Sequence, residues 1–358
     1  MSSIEMFTRL TSDTALLRAR LETLTRQGTS GMRADKLGDL GPDIPRAVSL
    51  RGEIGRRELY GQAMDQALGR TTVMQDSLAR LTDIAREFRT KSAMRIVAGD
   101  PDSLTTVQTN ARAALTEIAH LLNTRHAGEY LFGGTDLSNP PIGDPEGIST
   151  GQMAQEIAAQ VDALPSIGLD AVVDATRNIA RSTAPGVTPF SAALTGEENL
   201  PEAEREGRRG VPVADGQIIT YGFSAGRNAG VSSTGETTGS WARDLMRNLM
   251  SLAALKPEQM TDVAAFDGFI GTIREGLSSA EVALGEEAGA LGHVEARMEA
   301  TKRRHDNLSS ALALQLSSIE EVDIAEVITR MQATRTQLEA SYRAIGALGE
   351  LTLANYLR

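Results

Sequence analysis

The chain has 358 residues, no Cys, 4 His, 4% aromatic residues and a net charge of −11. These figures exclude disulfides, thiolate metal sites and a cysteine nucleophile. They leave few imidazoles for catalysis or metal binding, and they argue against nucleic acid, whose affinity rests on phosphate neutralisation. The 41% apolar content is mostly Ala, Leu, Val and Ile, the makings of a core built from thin helices.

From the N-terminus, Leu10, Leu17 and Leu24 form a heptad row, with Leu21 beside it, on a helix predicted to stop at Gly28. Residues 28–45 hold Gly28, Gly31, Gly38, Gly41, Pro42 and Pro45, a breaker-rich connection. A helix then starts near Val48 and carries Leu78, Leu81, Ala85 and Phe88 on one face towards residue 97. After a turn at Gly99-Asp100-Pro101-Asp102, Ser103 is placed to N-cap a helix over 103–127. Its stripe reads Leu104, Val107, Ala111, Ala114, Ile118 and Leu121.

Residues 136–239 are a different material. They hold 8 of the 12 prolines, 14 of the 34 glycines, and 14 acidic against 6 basic residues. Short helices are predicted over 153–163 and 170–181, and a solvated loop over 191–210 with Glu197, Glu198, Glu202, Glu204 and Glu206. Val211-Pro212-Val213-Ala214 and Gln217-Ile218-Ile219-Thr220-Tyr221-Gly222-Phe223 flank Asp215-Gly216, a pattern that predicts a hairpin with a type I′ turn. Pro212 confines the first strand to an edge.

The C-terminal part is more regular. Ile270, Leu277, Leu284, Leu291, Met298, His305 and Leu312 make one heptad row, and Ile273, Ala280, Glu287, Val294, Thr301, Leu308 and Gln315 the other. This a/d pattern predicts coiled-coil packing along a helix over 262–317, roughly 80 Å long at about 1.5 Å per residue. Such a rod needs partners alongside, and the helices near 48–97 and 103–127 supply them. The last helix shows Ile324, Ile328, Met331, Leu338, Tyr342 and Ile345 on one face. Beyond it, Ile345, Leu348, Leu351, Leu353, Tyr356 and Leu357 cover most of the circumference. A helix that is apolar all round is buried all round, against either the chain's own core or other copies.

The predicted fold is therefore mainly α: an elongated coiled-coil or helical bundle formed by the N- and C-terminal segments, with a small α+β module inserted in the middle. Five segments follow. Residues 1–45 form an assembly helix and its connection, 46–135 and 240–318 the two halves of a helical rod, 136–239 the insertion, and 319–358 the C-terminal assembly helix.

Little catalytic chemistry is visible. No Walker A sequence occurs, and no G-x-G-x-x-G follows a strand. Gly271, Gly285, Gly289 and Gly292 lie on one side of the long helix, where they suit close approach of another helix or are simply tolerated. Glu117 and His120 have an E-x-x-H spacing, but a second pair is missing. His305 reads as a polar register residue, Lys302-Arg303-Arg304 as a solvated helix face, and Glu320, Glu321, Asp323 and Glu326 as complements to the last helix's dipole. No catalytic, cofactor or metal residues are assigned, and no cofactor is predicted. The absence of a basic n-region and of any long apolar run predicts no cleaved signal peptide and no membrane insertion.

Several motifs, in this order, resemble the bacterial flagellin superfamily. They are Gln27-Gly28-Thr29-Ser30-Gly31-Met32-Arg33, Met74-Gln75-Asp76-Ser77-Leu78 with Ile84-Ala85-Arg86-Glu87, Gly128-Glu129-Tyr130-Leu131-Phe132-Gly133-Gly134-Thr135, Val322-Asp323-Ile324-Ala325-Glu326-Val327 and the ending Leu351-Thr352-Leu353-Ala354-Asn355-Tyr356-Leu357. The Tyr-Leu-Phe-Gly-Gly turn before Pro140-Pro141 and the Asn-Tyr-Leu ending are most similar to the hook–filament junction branch, the hook-associated protein 3 family. One departure is that Gly38-Asp39-Leu40-Gly41-Pro42-Asp43-Ile44-Pro45 stands where that family usually has an Asp-Asp-Pro run.

The resemblance implies a structural, non-enzymatic protein of the extracellular flagellum, exported unfolded without a cleaved signal. It implies assembly with copies of itself, with hook-associated protein 1 and with flagellin, and an export chaperone. The assembly residues would be Leu10, Leu17, Leu21, Leu24, Ile324, Ile328, Met331, Leu338, Tyr342, Ile345, Leu348, Leu351, Leu353, Tyr356 and Leu357. A divergent flagellin, a cytoplasmic coiled-coil scaffold and an enzyme housed in 136–239 are the alternatives.

Overall fold

In a computed structural model of the protein, the described residues are 3–93, 96, 101–198, 209–222, 224–226, 228 and 235–356. Leu357, Glu202, Glu204, Glu206, Phe223 and the predicted turn at Gly99-Asp100 lie outside them. The chain is mainly α, with ten α-helices and two small two-stranded sheets among the described residues. It divides into two units, Met1–Leu59 with Arg304–Arg358, and Tyr60–Arg303.

The first unit joins the two chain ends. Helix α1 runs Ser3–Ser30, and its terminus is set by Gly31, whose φ of 72° ends the helix in the left-handed region. Gly28 does not stop it, because a single glycine inside a helix costs about 1 kcal/mol against Ala and leaves the hydrogen-bond ladder intact. A 3-10 turn over Leu37–Asp43 then leads to α2, Ile44–Glu87, which takes Pro45 in its first turn, where no intrahelical N–H is needed. Ala47 and Leu50 pack with Ile319 of α9, Val263–Glu320, and Leu37, Leu40, Leu312 and Leu316 cover them. Helix α10, Ile324–Tyr356, completes the unit.

In the second unit, α2 continues through Met64, Ala67, Met74, Leu78, Leu81, Ala85 and Phe88, all buried, and loosens into a π turn at Phe88–Ser92. Helix α3, Pro101–Leu122, buries Leu104, Val107, Ala111, Ala114 and Ile118. Ser103 lies inside this helix rather than at its N-cap, because Pro101 already occupies the first turn. The helix also ends before 127. Ala127 (φ 50°) and Gly128 (φ 87°) form a tight turn between β1, Arg125–His126, and β2, Glu129–Tyr130.

Burial follows the two predicted rows along much of α9. Every position of the first row from Ile270 to His305 is buried. The second row is buried at Ile273, Ala280 and Glu287, partly buried at Val294 and Thr301, and exposed at Leu308 and Gln315. The glycine row is open instead. A Cβ at Gly271, Gly285 or Gly289 would meet nothing within 4 Å. The close approaches occur at Gly268, against Leu169, and at Gly276, against Asn248.

The insertion folds as helices α4 (Gln152–Asp162), α5 (Leu164–Ile167), α6 (Leu169–Arg181) and α7 (Ala192–Glu198), and the hairpin of β3 (Arg209–Ala214) and β4 (Gln217–Tyr221). The predicted loop over 191–210 is thus helical in its first part. Glu197 is buried there and accepts hydrogen bonds from Thr135 N (2.8 Å) and Thr135 Oγ1. The hairpin turn is not type I′, which needs two left-handed residues. Only Gly216 has positive φ (71°), and a register shift between Pro212 and Ala214 absorbs the difference. Val211, Val213, Ile219 and Tyr221 pack the hairpin onto Met64, Ala67 and Met298.

Helix α8, Trp241–Ala254, lies at the centre of this unit, packed by α3, α4 and α6. It is buried all round despite carrying Arg243, Asp244, Arg247 and Asn248. These four side chains all find hydrogen-bond partners, whereas the buried Trp241 Nε1 has none among the described residues. Arg247 donates to Thr176 Oγ1 (3.1 Å) and Val173 O (2.9 Å) of α6 and pairs with Glu236. Arg243 donates to Ser182 O at 3.2 Å and stands over the Phe190 ring, 4.9 Å from its centroid. Asp244 accepts from Thr237 Oγ1 (2.5 Å) and Thr238 N (2.5 Å).

The charge is unevenly shared. Met1–Leu59 with Arg304–Arg358 contains 15 basic and 15 acidic residues, so the net −11 falls entirely on Tyr60–Arg303.

Candidate assembly surface

The two chain ends pair with each other. Gly28 faces Val327, Thr25 Oγ1 donates to Met331 Sδ at 3.8 Å, and Arg18 stands 5.2 Å from the Tyr342 ring centroid. These contacts set α1 and α10 antiparallel. The seam buries Thr14, Leu24, Val327, Thr334 and Leu338, with Thr14 and Thr334 hydroxyls turned back onto their own helices at Leu10 O (2.6 Å) and Arg330 O (2.8 Å).

A clasp below the seam fixes this pairing. Arg33 N donates to Glu320 O (2.7 Å), Val322 N donates to Gly31 O (2.9 Å), and Met32 bridges Glu321 in antiparallel fashion. Asp323 Oδ1 caps α10 by accepting from Ala325 N (2.9 Å) and Glu326 N (3.3 Å). Glu320 belongs to α9 and pairs with Arg51 at 2.8 Å, which raises the Arg51 pKa through that hydrogen bond and charge. Of the four acids predicted to complement the last helix, Asp323 does so by direct capping and Glu326 lies in the first turn.

The predicted assembly residues divide between the seam and the surface. Leu24 and Leu338 are buried between the helices, whereas Leu10, Leu17, Leu21, Met331 and Ile345 are half-buried. Ile324 (50% exposed) and Ile328 (42%) face outward, as does Leu16 (68%), which the heptad row had not included, whereas Tyr342 (40%) meets Arg18 across the seam. Leu348, Leu351, Leu353 and Tyr356 fall within α10, but their side chains lie outside the described residues. A two-helix pair can cover only one stripe of each member, so apolar side chains remain on the outer faces.

The candidate chemical groups separate into structural pairs. Glu117 holds Arg80 in a bidentate pair (2.6 and 2.9 Å), whereas His120 pairs with Glu146 at 2.9 Å. His305 is buried with its Nδ1 3.4 Å from Arg57 Nη1. Among the described residues, no group of three or more His, Asp or Glu is placed to hold a metal ion, and no helix is long and apolar enough to cross a membrane. Glu129 joins Arg70 and Arg209, linking α2, β2 and β3. Its desolvation is outweighed by the hydrogen bond and charge of Arg209 and by Arg70, which together hold its carboxyl below the usual range.

These features describe a helical protein whose two ends pair and leave apolar residues on their outer faces. Residues 258–357 match the family described as the bacterial flagellin C-terminal helical region. That match begins in the 3-10 turn at Pro257–Thr261 and covers α9 and α10. It supports the flagellin superfamily and a structural role in the extracellular flagellum, and it points away from an enzyme. No curated protein matches the chain.

Proposed function

We propose that the chain is a structural subunit of the bacterial flagellum that joins hook to filament, as a hook-associated protein 3 does, and that it polymerises through its terminal helices. The observation that carries this is the α1–α10 pair, which leaves Leu16, Ile324 and Ile328 outside its own seam. Each Leu or Ile moved out of water contributes about 1.5–3 kcal/mol, so a few such residues on each subunit suffice for a strong contact. The partners are further copies, hook-associated protein 1 below and flagellin above, and an export chaperone before assembly. Export of the unfolded chain proceeds without a cleaved signal.

The family description is equally compatible with a second reading, a divergent flagellin that forms the filament. Immunolabelling of purified flagella separates the two. Label confined to the hook–filament boundary supports the junction protein, label along the length supports flagellin, and absence of label removes both. Deletion of residues 340–358 is expected to leave a soluble folded monomer that cannot join the structure. Normal incorporation of that truncation would refute the terminal-helix mechanism.

A further inference from the structure

The unit formed by residues 1–59 and 304–358 contains a cavity of roughly 330 Å³ beside the segment that follows α1. Met32, Ala34, Leu37 and Leu40 give it apolar walls, and Lys36, Arg51 and Glu320 line it with charge. Glu320 is only 7% exposed. One of its carboxylate oxygens, Oε2, accepts from Arg51 Nη2 at 2.8 Å. The other, Oε1, is buried and has no donor among the protein's groups.

Buried polar atoms are almost always satisfied, and a carboxylate oxygen left without a donor loses its hydration with nothing in return. Lys36, the other cation lining the cavity, makes no bond to this oxygen, which is left open to a donor from solvent or from another molecule. At about 30 Å³ per water molecule the cavity is far larger than one water needs. Its apolar walls suit an alkyl stem, and its carboxylate suits a cationic head, the two parts of a basic side chain. Asp35, which also lines the cavity, lies 3.6 Å from Arg26 and adds a second negative group.

The chain's own composition says which cation is at hand. Of 36 basic residues, 32 are Arg. In this unit Arg9, Arg20, Arg46, Arg304 and Arg343 are exposed, and none forms an ion pair among the described residues. The unit is also neutral overall, with 15 basic and 15 acidic residues, so contacts made between two such units meet no net repulsion from the units themselves. A guanidinium is planar, weakly hydrated and rich in donors, which favours it over an ammonium at a half-apolar site.

We propose that the cavity lined by Glu320, Leu37 and Leu40 receives the guanidinium of an arginine from a second copy of this chain. This rests on the reading of the chain as a self-assembling subunit, and it identifies one socket of that assembly.

The test uses the full-length chain and two variants that act differently. Glu320→Gln removes the negative charge, and Ala34→Phe fills the cavity while leaving the carboxylate in place. N-propylguanidinium is titrated into each by calorimetry, and assembly is followed by sedimentation. Thermal unfolding confirms that each variant is folded. The expected result is saturable probe binding to the wild-type chain, weakened about tenfold or more in both variants, as loss of a charged hydrogen bond predicts. The critical concentration for sedimentation then rises by a similar factor. Equal probe binding by all three chains overturns the site. Lost probe binding with an unchanged critical concentration overturns the second copy as occupant. A wild-type chain that binds the probe but never sediments overturns both that occupant and the self-assembling reading, while the site's chemistry stands.

Discussion

Gly28 of α1 lies directly against Val327 of α10, such that a Cβ on residue 28 would stand 3.5 Å from Val327 Cγ1. That is ordinary van der Waals contact. Gly28→Ala is therefore expected to fit the seam and to gain about 0.5–1 kcal/mol from reduced chain entropy. Three residues on, Gly31→Ala is expected to lose about 1 kcal/mol or more, because φ at Gly31 is 72°. Thermal unfolding of the two variants, raised for one and lowered for the other, checks both signs.

The outward residues of the terminal helices should behave as surface groups in the monomer. Leu16→Gln and Ile328→Gln are expected to change unfolding free energy by no more than about 0.5 kcal/mol, the range for exposed sites. The same pair should raise the concentration needed for assembly. If the monomer is instead strongly destabilised, these side chains belong to the fold and not to an interface.

Glu236 is clamped between Arg177 and the almost fully buried Arg247. Glu236→Gln removes the ion-pair partner of Arg247 in a site where burial already lowers its pKa, leaving only the more distant charge of Asp244. A cost of about 3–5 kcal/mol is expected, read by denaturant unfolding. Arg247 would retain its bonds to Thr176 and Val173, so local melting around α6 and α8 should precede global loss of helix.

Two carboxylates make opposite contributions with pH. Burial raises the Asp244 pKa above 3.8, overcoming the hydrogen bonds from Thr237 and Thr238 and the charge of Arg247. The native state then binds this proton more readily than the unfolded chain, so stability falls as pH rises from 3.8 through the raised value. Glu129 is the reverse. Although desolvation pushes its pKa up, Arg209 and Arg70 hold it below 4.5. Its contribution is present above 4.5 and is lost as pH falls through the depressed value. Unfolding curves across this range should lose a destabilising slope in Asp244→Asn and a stabilising one in Glu129→Gln.

The parts of the fold that were legible in the sequence are those where one period governs burial. The first heptad row of α9 is buried from Ile270 to His305, and α4, α6 and the 211–221 hairpin stand near their predicted limits. What escaped were elements whose residues contradict their surroundings. Helix α8 buries Arg243, Asp244 and Arg247, and only partners far along the chain explain why that is tolerated. The 125–130 hairpin turns at Ala127, which lacks the Asn or Asp that usually announces such a turn. Glu197 looked solvated because its neighbours are acidic, yet Thr135 holds it inside. On the candidate surface, periodicity found the seam residues Leu24 and Leu338 but could not tell them from outward Ile328, since both faces of α10 are apolar. Leu16, off the heptad row, carried no signal at all.

The division of charge has a consequence for how assembly responds to ionic strength. Contacts made through the neutral unit would be little weakened by salt, because few of them depend on net attraction. Gathering many copies, however, brings together units that each carry −11. Their mutual repulsion is screened beyond about 8 Å at 0.15 M salt, so adding salt should promote polymerisation, and dilution into low salt should dissolve it.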